Sequence, residues 1–340
     1  MKIVIIEAAP ITPKQDAGSR ALLDFYLSLQ ELGHETSFLF ESEVNLEETL
    51  SKINPRVVFV SRPGLYRRTN HIYEKLNCKV IYIAHDLHFK RISLQEDLLG
   101  LLNPNTGEVI KNIEKFCALS SDLSIFPTED EANYANELFK TNKATHINYF
   151  RFEKAIPKLH DGTVNRLIFV GGSDHKPNHD GIIWFIDKVL KEIKIEFPDI
   201  QLFVVGRWDK ELQKPLQQKG ITFSGLLSES ELSKVMNESD VGIAPLRFGA
   251  GMKRKVLNYM AHGLPVISTS FGAQGLTSAV NNGIDLANSP KEWSSSVHDL
   301  GEVNYRQIQG FKASKYINKH FSLESQKKQL KLLLKCVEEQ

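Results

Sequence analysis

The 340 residues include three cysteines, Cys78, Cys117 and Cys336, set far apart and without a CxxC pair. That count argues against a disulfide framework and a thiolate zinc knuckle, and it fits a reducing compartment. An uninterrupted apolar stretch of about 18 residues, the length a bilayer requires, is also missing. The opening MKIVIIEAAPI carries one Lys and is broken by Glu7, too short and too acidic for the apolar core of a signal peptide. A cytoplasmic protein is therefore expected, with peripheral contact on the inner face of the membrane still open to it. Net charge is nearly absent as well, since 42 Lys and Arg against 41 Asp and Glu leave +1. Bulk nucleic-acid binding is thereby disfavoured, and no nucleic acid is expected among the partners.

What is present is ordinary globular material, 41% hydrophobic, in a length that predicts two domains. Short β-branched runs alternate with stretches of helical period: KIVII (2 to 6), a helix over about 18 to 32, TSFLF (36 to 40), VVFV (57 to 60) and KVIYI (79 to 83). LSIF (123 to 126), a helix from Glu129 to Phe139 and THINY (145 to 149) complete the series. Runs so nearly continuous in apolar residues fit parallel strands covered by helices on both faces. The segment from 150 to 165 is polar, holds Pro157 and Gly162, follows neither period and reads as a linker. A second series restarts with RLIFV (166 to 170), a helix over about 177 to 197, QLFVV (201 to 205), ITF (221 to 223), VGIA (241 to 244) and PVIS (265 to 268). The last segment reads as two helices broken near His320 to Ser322.

Open α/β sheets gather their ligands at the carboxyl ends of the strands, so the loops there carry the candidate residues. After the first strand, Gly18 and Ser19 open a helix whose free N–H groups and positive end suit an anion, although capping by Asp16 or Ser19 accounts for the same residues. In GGSDHKPNHDG (171 to 181), Gly171 and Gly172 let the backbone approach a bound group ahead of a helix starting near Pro177. This is not GxGxxG, and neither half shows the dinucleotide fingerprint of a dehydrogenase. In PLRFGAGMKRKVLNYMAHGLPVIS (245 to 268), Gly249 and Gly251 make a turn, Met252 or Lys253 begins a helix, and Lys253, Arg254 and Lys255 crowd its positive end. Three cations there make sense around an anion such as a diphosphate, with Lys253 taken as the inward one and the others splayed into solvent. IAHDLHFKR (83 to 91) places His85 and Asp86 just past a strand end; chemistry alone leaves both a substrate contact and a structural role open for the histidine.

Together these stretches resemble the retaining, family-4-like group of GT-B glycosyltransferases. The opening loop, its helix and GHE (33 to 35) are similar to the family's first segment, and FVGGSDHKPNHDGIIWFI (169 to 186) to its first C-terminal glycine turn. VVGRW (204 to 208), ITFSGLL (221 to 227) and SDVGIAPLRFGAGMKRKVLNYMAHGLPVISTSFGAQGL (239 to 276) follow its C-terminal order, the last being the specific match. The resemblance implies an α/β fold of two Rossmann-like, doubly wound parallel-sheet domains facing a cleft. Residues 1–155 would bind the acceptor, 163–310 the nucleotide-sugar donor, and the helices of 311–340 would pack back toward the N-terminal domain. The implied reaction moves a sugar, with retention, from a nucleotide-diphosphate donor to a glycan, glycolipid or other cell-surface polysaccharide acceptor, lipid-linked acceptors included. His85, beside the donor sugar, and Lys253 and Arg207, on the diphosphate, take the catalytic positions, with Arg247 a weaker candidate for the same charge. Gly18, Ser19, Gly171, Gly172, Gly225, Leu226, Gly249, Ala250, Gly251, Met252 and Asn258 take the substrate-binding positions.

Two departures accompany the resemblance. The family's pair of glutamates, seven residues between them, falls on Ala250 and Asn258, and Gly172 stands where many members place an Arg, with Lys176 nearby. A neutral amide at 258 still reaches ribose hydroxyls but without the strength of a charged acceptor. The chain has no DxD motif, and the resemblance implies neither metal nor other cofactor: basic side chains and helix N-termini stabilise the departing nucleoside diphosphate. The departures keep two further readings in view, a non-catalytic nucleotide-binding or partner module of a glycan-assembly complex and a nucleotide-sugar epimerase or hydrolase on the same architecture. Residues 51 to 100 hold nine basic against four acidic residues, among them Arg62, Arg67, Arg68, Lys90 and Arg91. This 62–91 segment either contacts an anionic membrane, at about 1 kcal/mol per well-placed cation, or is a solvated face.

Overall fold

The computed structural model describes residues 1–12, 17–99, 105–217, 220–249 and 251–339. By its contacts the chain divides into two units, one of Met1–Arg151, Ala250–Met252 and His320–Gln340, the other of Phe152–Gly249 and Lys253–Lys319. The C-terminal division thus falls in the break between the last two helices rather than at 311.

The first unit runs β1 (Lys2–Glu7), α1 (Ala17–Glu31), β2 (Glu35–Phe40), α2 (Leu46–Ile53), β3 (Val57–Ser61), α3 (Pro63–Tyr73) and β4 (Lys79–Ile83). It continues with α4 (His88–Leu99), α5 (Asn105–Ser120), β5 (Leu123–Phe126), α6 (Glu129–Phe139) and β6 (Ala144–His146). Local chemistry sets several of these bounds. Asn45 and Thr128 cap α2 and α6 by accepting N–H bonds from Glu48 and Glu131, and Asn54 and Lys140 end them in left-handed conformations. The six strands are parallel in the order β2-β1-β3-β4-β5-β6. β1, β3 and β4 are buried almost throughout, which explains their unbroken apolar sequences. Strand β6 stops at His146, short of the run expected to 149.

The second unit contains β7 (Arg166–Val170), α7 (Lys176–Trp184), α8 (Leu190–Glu196), β8 (Gln201–Val205), α9 (Lys210–Gln213), β9 (Ile221–Gly225), α10 (Glu229–Asn237), β10 (Val241–Ala244) and α11 (Arg254–Ala261). β11 (Val266–Ser268), β12 (Ile284–Leu286), α12 (Pro290–Gly301) and α13 (Val303–His320) follow. Its sheet is parallel in the order β12-β11-β10-β7-β8-β9. The helix expected over 177 to 197 is interrupted by a π-helical stretch, Phe185–Val189, between α7 and α8. There Phe185 meets Trp293 of α12 edge-on at 5.1 Å, both fully buried.

The final helix, α14 (Leu323–Glu338), belongs to the first unit and packs on α1. The contact is polar at its centre. Buried Gln326 accepts the Ser28 hydroxyl at 2.6 Å and donates to the carbonyls of Asn148 and Tyr149 at 3.0 and 2.9 Å. Each such group left unpaired would cost about 1–3 kcal/mol, so this one amide ties the chain's last helix to both α1 and the end of the first sheet. Among the described residues no helix is long and apolar enough to cross a membrane.

Both sheets are doubly wound, and each reverses its direction of growth at one place: between β1 and β3 in the first, between β7 and β10 in the second. Loops leave in opposite directions there and open a crevice at the carboxyl ends of the strands. The candidate residues cluster at these two places.

Candidate functional site

At the carboxyl end of the first sheet, register brings three side chains together. Ile6 of β1 pairs with Val60 of β3, and Ser61 with Ile83 of β4. Glu7, Ser61 and His85 therefore succeed one another across the reversal. Glu7 Oε2 accepts the Ser61 hydroxyl at 2.7 Å, and Ser61 Oγ lies 2.8 Å from His85 Nε2. The Ala8 N–H, at 2.8 Å, and Arg62 Nε, at 3.0 and 3.1 Å, complete the carboxylate, which is buried. Charged and backbone donors of this kind offset the cost of burying it. Arg62, the residue before α3, has φ 70°, a left-handed value that a side chain adopts under constraint. On another side of His85, the Tyr149 ring stands edge-on with centroids 6.3 Å apart, its hydroxyl held on the carbonyls of Ala84 and Ile125.

Asp86 bonds elsewhere. It accepts from Arg91 Nε at 2.9 Å and lies 3.0 Å from His88 Nδ1. Burial raises its carboxyl, but His88 and Arg91 outweigh burial and hold it below the usual value. Of the helix-opening pair, Ser19 is buried inside the first turn of α1 and is not its cap, and Gly18 sits half-buried beside it; Asp16 lies outside the described residues. The basic segment is largely committed within the unit. Arg62 is bound to Glu7, Arg68 to Glu41, Arg91 to Asp86, and Lys90 lies over the Tyr134 ring at 4.9 Å.

At the carboxyl end of the second sheet, three turns stack backbone on backbone. Gly171 N–H donates to Val205 at 2.7 Å, Gly206 N–H to Gly225 at 2.9 Å, and Trp208 Nε1 to the Gly171 carbonyl at 2.8 Å. Gly206 has φ 134°, and a Cβ there would lie 2.6 Å from the Gly171 carbonyl carbon. Gly171, Gly172 and Gly225 thus shape one surface of closely spaced turns, with Leu226 exposed at its edge.

Helix α11 starts at Arg254, leaving Lys253 as its N-cap residue, partly exposed near Gly249. The cation that turns beneath the first glycine turn is instead Lys255. Its Nζ donates to Asn178 Oδ1 at 2.6 Å, sits 4.0 Å from the centre of the Phe169 ring, and would be 2.8 Å from a Cβ on Gly171. Asn178 Nδ2 donates on to the Gly172 carbonyl at 3.0 Å. Burial pushes the Lys255 ammonium well below its ordinary value, and Lys253 adds to the shift. The expectation that Lys253 is the inward cation is therefore corrected. One residue's difference in helix start turns a different side chain inward.

Arg207 is 59% exposed, with Asp174 at 3.9 Å. Arg247 is engaged by Asp180, Nε donating at 2.8 Å and a terminal nitrogen to the second oxygen; its charge is already paired. Asn258 lies half-buried on the second turn of α11, three residues from Lys255. Gly249 belongs to the second unit, Gly251 and Met252 group with the first, and Ala250 lies outside the described residues. Glu7, Ser61, Asn178 and Lys255 were not among the expected site residues. The one local signal was an acid closing an otherwise apolar strand, KIVIIE. Among the described residues no group of three or more His, Cys, Asp or Glu is placed to hold a metal.

Two sheets wound in this way, with glycine turns and a basic helix start at the reversal of the second, define the GT-B architecture of glycosyltransferases. Residues 164–302, a stretch within the second unit, match the model of the family described as glycosyl transferases group 1. An uncharacterized 44.6 kDa protein in the cps region of Klebsiella pneumoniae is 22% identical over 369 residues, covering 92% of each chain. Among solved structures, sucrose-phosphate synthase from Thermosynechococcus elongatus superposes with a TM-score of 0.74 at 13% identity, over 99% of this chain and 98% of that one. HepE of Anabaena in complex with UDP gives 0.72 at 13% identity, over 99% and 100%. At these identities the structural likeness is one of fold.

Proposed function

We propose that the protein is a retaining, metal-independent glycosyltransferase that takes a sugar from a nucleoside-diphosphate donor and places it on a glycan or lipid-linked acceptor of a cell-surface polysaccharide. The observation that carries this reading is the cationic floor of the second sheet's reversal, where Lys255 and the start of α11 meet the glycine turns. A diphosphate there would receive backbone N–H groups, a helix's positive end and side-chain cations together, and those are the groups that stabilise a departing diphosphate. UDP is bound in the Anabaena neighbour, and the Klebsiella relative lies in a cps region; both support the donor class and the acceptor class. The acceptor oxygen attacks the anomeric carbon from the face the diphosphate leaves, and a donor phosphate oxygen takes its proton. Asn258 holds a ribose hydroxyl as a neutral partner.

The test is thermal stabilisation by UDP, GDP, dTDP, CMP and ADP, each with and without magnesium. One diphosphate at 100 times its dissociation constant adds about 2.7 kcal/mol to the wild type, does so without magnesium, and loses most of the effect in Lys255→Met. No shift from any of them rejects the donor site. The non-catalytic module is favoured by one observation, the amide in place of a carboxylate at Asn258, and is what binding without sugar transfer would show.

The same reading places the first unit on an anionic membrane. With Arg62, Arg68 and Arg91 committed, the contact falls to exposed Arg67 and Lys115 and to Val109, Phe116 and Leu119, exposed on α5 where it packs against α3. Cosedimentation should occur with vesicles rich in anionic phospholipid, fail with neutral ones, and weaken in Phe116→Glu. Equal behaviour with both vesicle types overturns the membrane contact.

A further inference from the structure

Helix α13 has the usual polarity of a surface helix reversed. Such a helix turns its apolar side chains inward and its polar ones to water, whereas α13 buries Arg306, Gln309, Gly310, Ala313, Ser314 and Ile317, and Ile317 is the one large apolar side chain among them. The buried polar groups are bound. Arg306 donates to the carbonyls of Leu300 and Gly301 at 2.7 and 3.4 Å and of Asp161 and Gly162 at 2.9 and 2.6 Å, and Gln309 accepts the Gly283 N–H at 3.2 Å. The outward face holds Ile308 and Phe311, each 52% exposed. Along its edge the polar segment before β7 lies as a strap. Asn318 bonds both the N–H and the carbonyl of Ala155 at 2.8 Å, and Gln307 bonds the Lys158 carbonyl and the His160 N–H, also at 2.8 Å. From Gln307 to Asn318 the helix rises about 16 Å, the length of about five extended residues, so the strap runs antiparallel to α13 without slack. Ala155 and His160 turn inward, while Ile156 and Leu159 turn out, 73% and 86% exposed, Leu159 being the most exposed large apolar side chain among the described residues.

Single exposed apolar side chains are ordinary, but these stand together on a face whose own interior is polar. Its two ends differ in charge. Lys315 and Lys319 are exposed in the C-terminal half of α13, a helix without Asp or Glu, and Asp161 and Glu302 are exposed at its N-terminal end; Glu153 and Lys154 on the strap offset one another. All belong to the second unit. We propose that this face is the contact between two copies of the chain, with α13 packed antiparallel on α13 about a two-fold axis passing between Ile308 and Phe311. Along the helix from that axis, Lys315 stands about 8 Å out on one side, and Asp161, level with Arg306, and Glu302 stand about 5 and 11 Å out on the other. The two-fold turns each end onto the other, so each Lys315 meets the acids of the second copy while Leu159, Ile308 and Phe311 bury one another at the centre. A parallel packing would set lysine against lysine. An anionic bilayer drawn to the lysines would be repelled by the acids that border the same patch. The face is about 27 Å long and two elements wide, close to the roughly 800 Å² per partner of a standard interface.

Sedimentation velocity on the full chain, over about 1 to 100 µM, tests the contact, and the wild type should pass from monomer to dimer within that range. Phe311→Glu, which places a charge beside the axis, should raise the dissociation constant about 10²-fold, and Leu159→Glu on the strap should do the same. Lys315→Glu should raise it about 10-fold, and adding Asp161→Lys to the same chain should restore it, because under a two-fold both copies then carry the exchanged pair. That rescue separates an end-for-end contact from a general loss of surface. A wild type that stays monomeric at about 100 µM overturns the proposal, also if it binds anionic vesicles through Phe311. So does a dimer that Phe311→Glu and Leu159→Glu both leave intact. A Lys315→Glu defect that Asp161→Lys fails to relieve overturns the antiparallel packing. These side chains are exposed, so thermal unfolding at the wild-type temperature should show each variant to be folded. Should Phe311→Glu fail to fold, Leu159→Glu carries the same decision.

Discussion

Gly206→Ala should lower the stability of the second unit by roughly 2–6 kcal/mol, combining a strained left-handed backbone with an overpacked contact. The residue sits at φ 134°, where an alanine is costly in any surroundings, and its Cβ would lie 2.6 Å from the carbonyl carbon and 2.8 Å from the next nitrogen of the Gly171–Gly172 turn. Backbone atoms cannot rotate out of the way as a flexible side chain can. Relief would have to come from separating the turns after β7 and β8, and that separation breaks the Trp208 bond to Gly171. Gly225→Ala is the control, since it also has a positive φ, 73°, but nothing within 4 Å of its Cβ. It should cost about 1–3 kcal/mol from backbone strain alone. Trp184, Trp208 and Trp293 are the chain's three tryptophans and all belong to the second unit, so denaturant unfolding followed by tryptophan fluorescence reports that unit. Equal losses in the two variants would show that the stacked turns are not rigid, and with that the surface proposed for the diphosphate would lose its shape.

How far the amino-acid order announces this arrangement differs between fold and site. Strands such as KVIYI, LSIF, RLIFV, QLFVV and VGIA coincide with the structure because a parallel strand covered on both faces must be apolar at nearly every position. β12 is a three-residue edge strand, too short for any period to show. The π-helical stretch inside the helix after β7 leaves the amphipathic pattern almost intact and so leaves no mark either. The site fails to announce itself for a different reason. Glu7 and Ser61 lie 54 positions apart and meet because β3 takes the place beside β1, a consequence of sheet order that no local pattern encodes. Lys253 and Lys255 are both visible as cations. Choosing between them requires the helix start to within a residue, since successive side chains point about 100° apart. The resemblance located the loop, and the N-cap position decided which lysine turns under it.

That distinction leads to the second large effect, in Lys255→Met. The ammonium is enclosed by Asn178, the Phe169 ring and the Gly171 turn, its bonded partner is an amide rather than a carboxylate, and Lys253 nearby repels it. A desolvated charge in that state is a burden to the ligand-free fold, and an apolar chain of similar length should leave stability unchanged or raise it. Donor binding should move the opposite way. A diphosphate would meet this cation out of water, so truncating it should weaken nucleotide binding by about 3–4 kcal/mol, roughly 10²–10³-fold. The pH dependence gives an independent sign. The folded-state proton affinity of Lys255 is depressed, so the unfolded chain binds more protons between that depressed value and the ordinary lysine value of about 10.4. Wild-type stability should therefore rise with pH across that window from this group, and Lys255→Met should remove the rise. Calorimetric titration with the stabilising nucleotide and unfolding at several pH values measure both effects. Lys255→Met that loses several kcal/mol of ligand-free stability while binding nucleotide normally would make Lys255 a strut for the Gly171 turn, and the diphosphate would then have to be met by Lys253 and the start of α11.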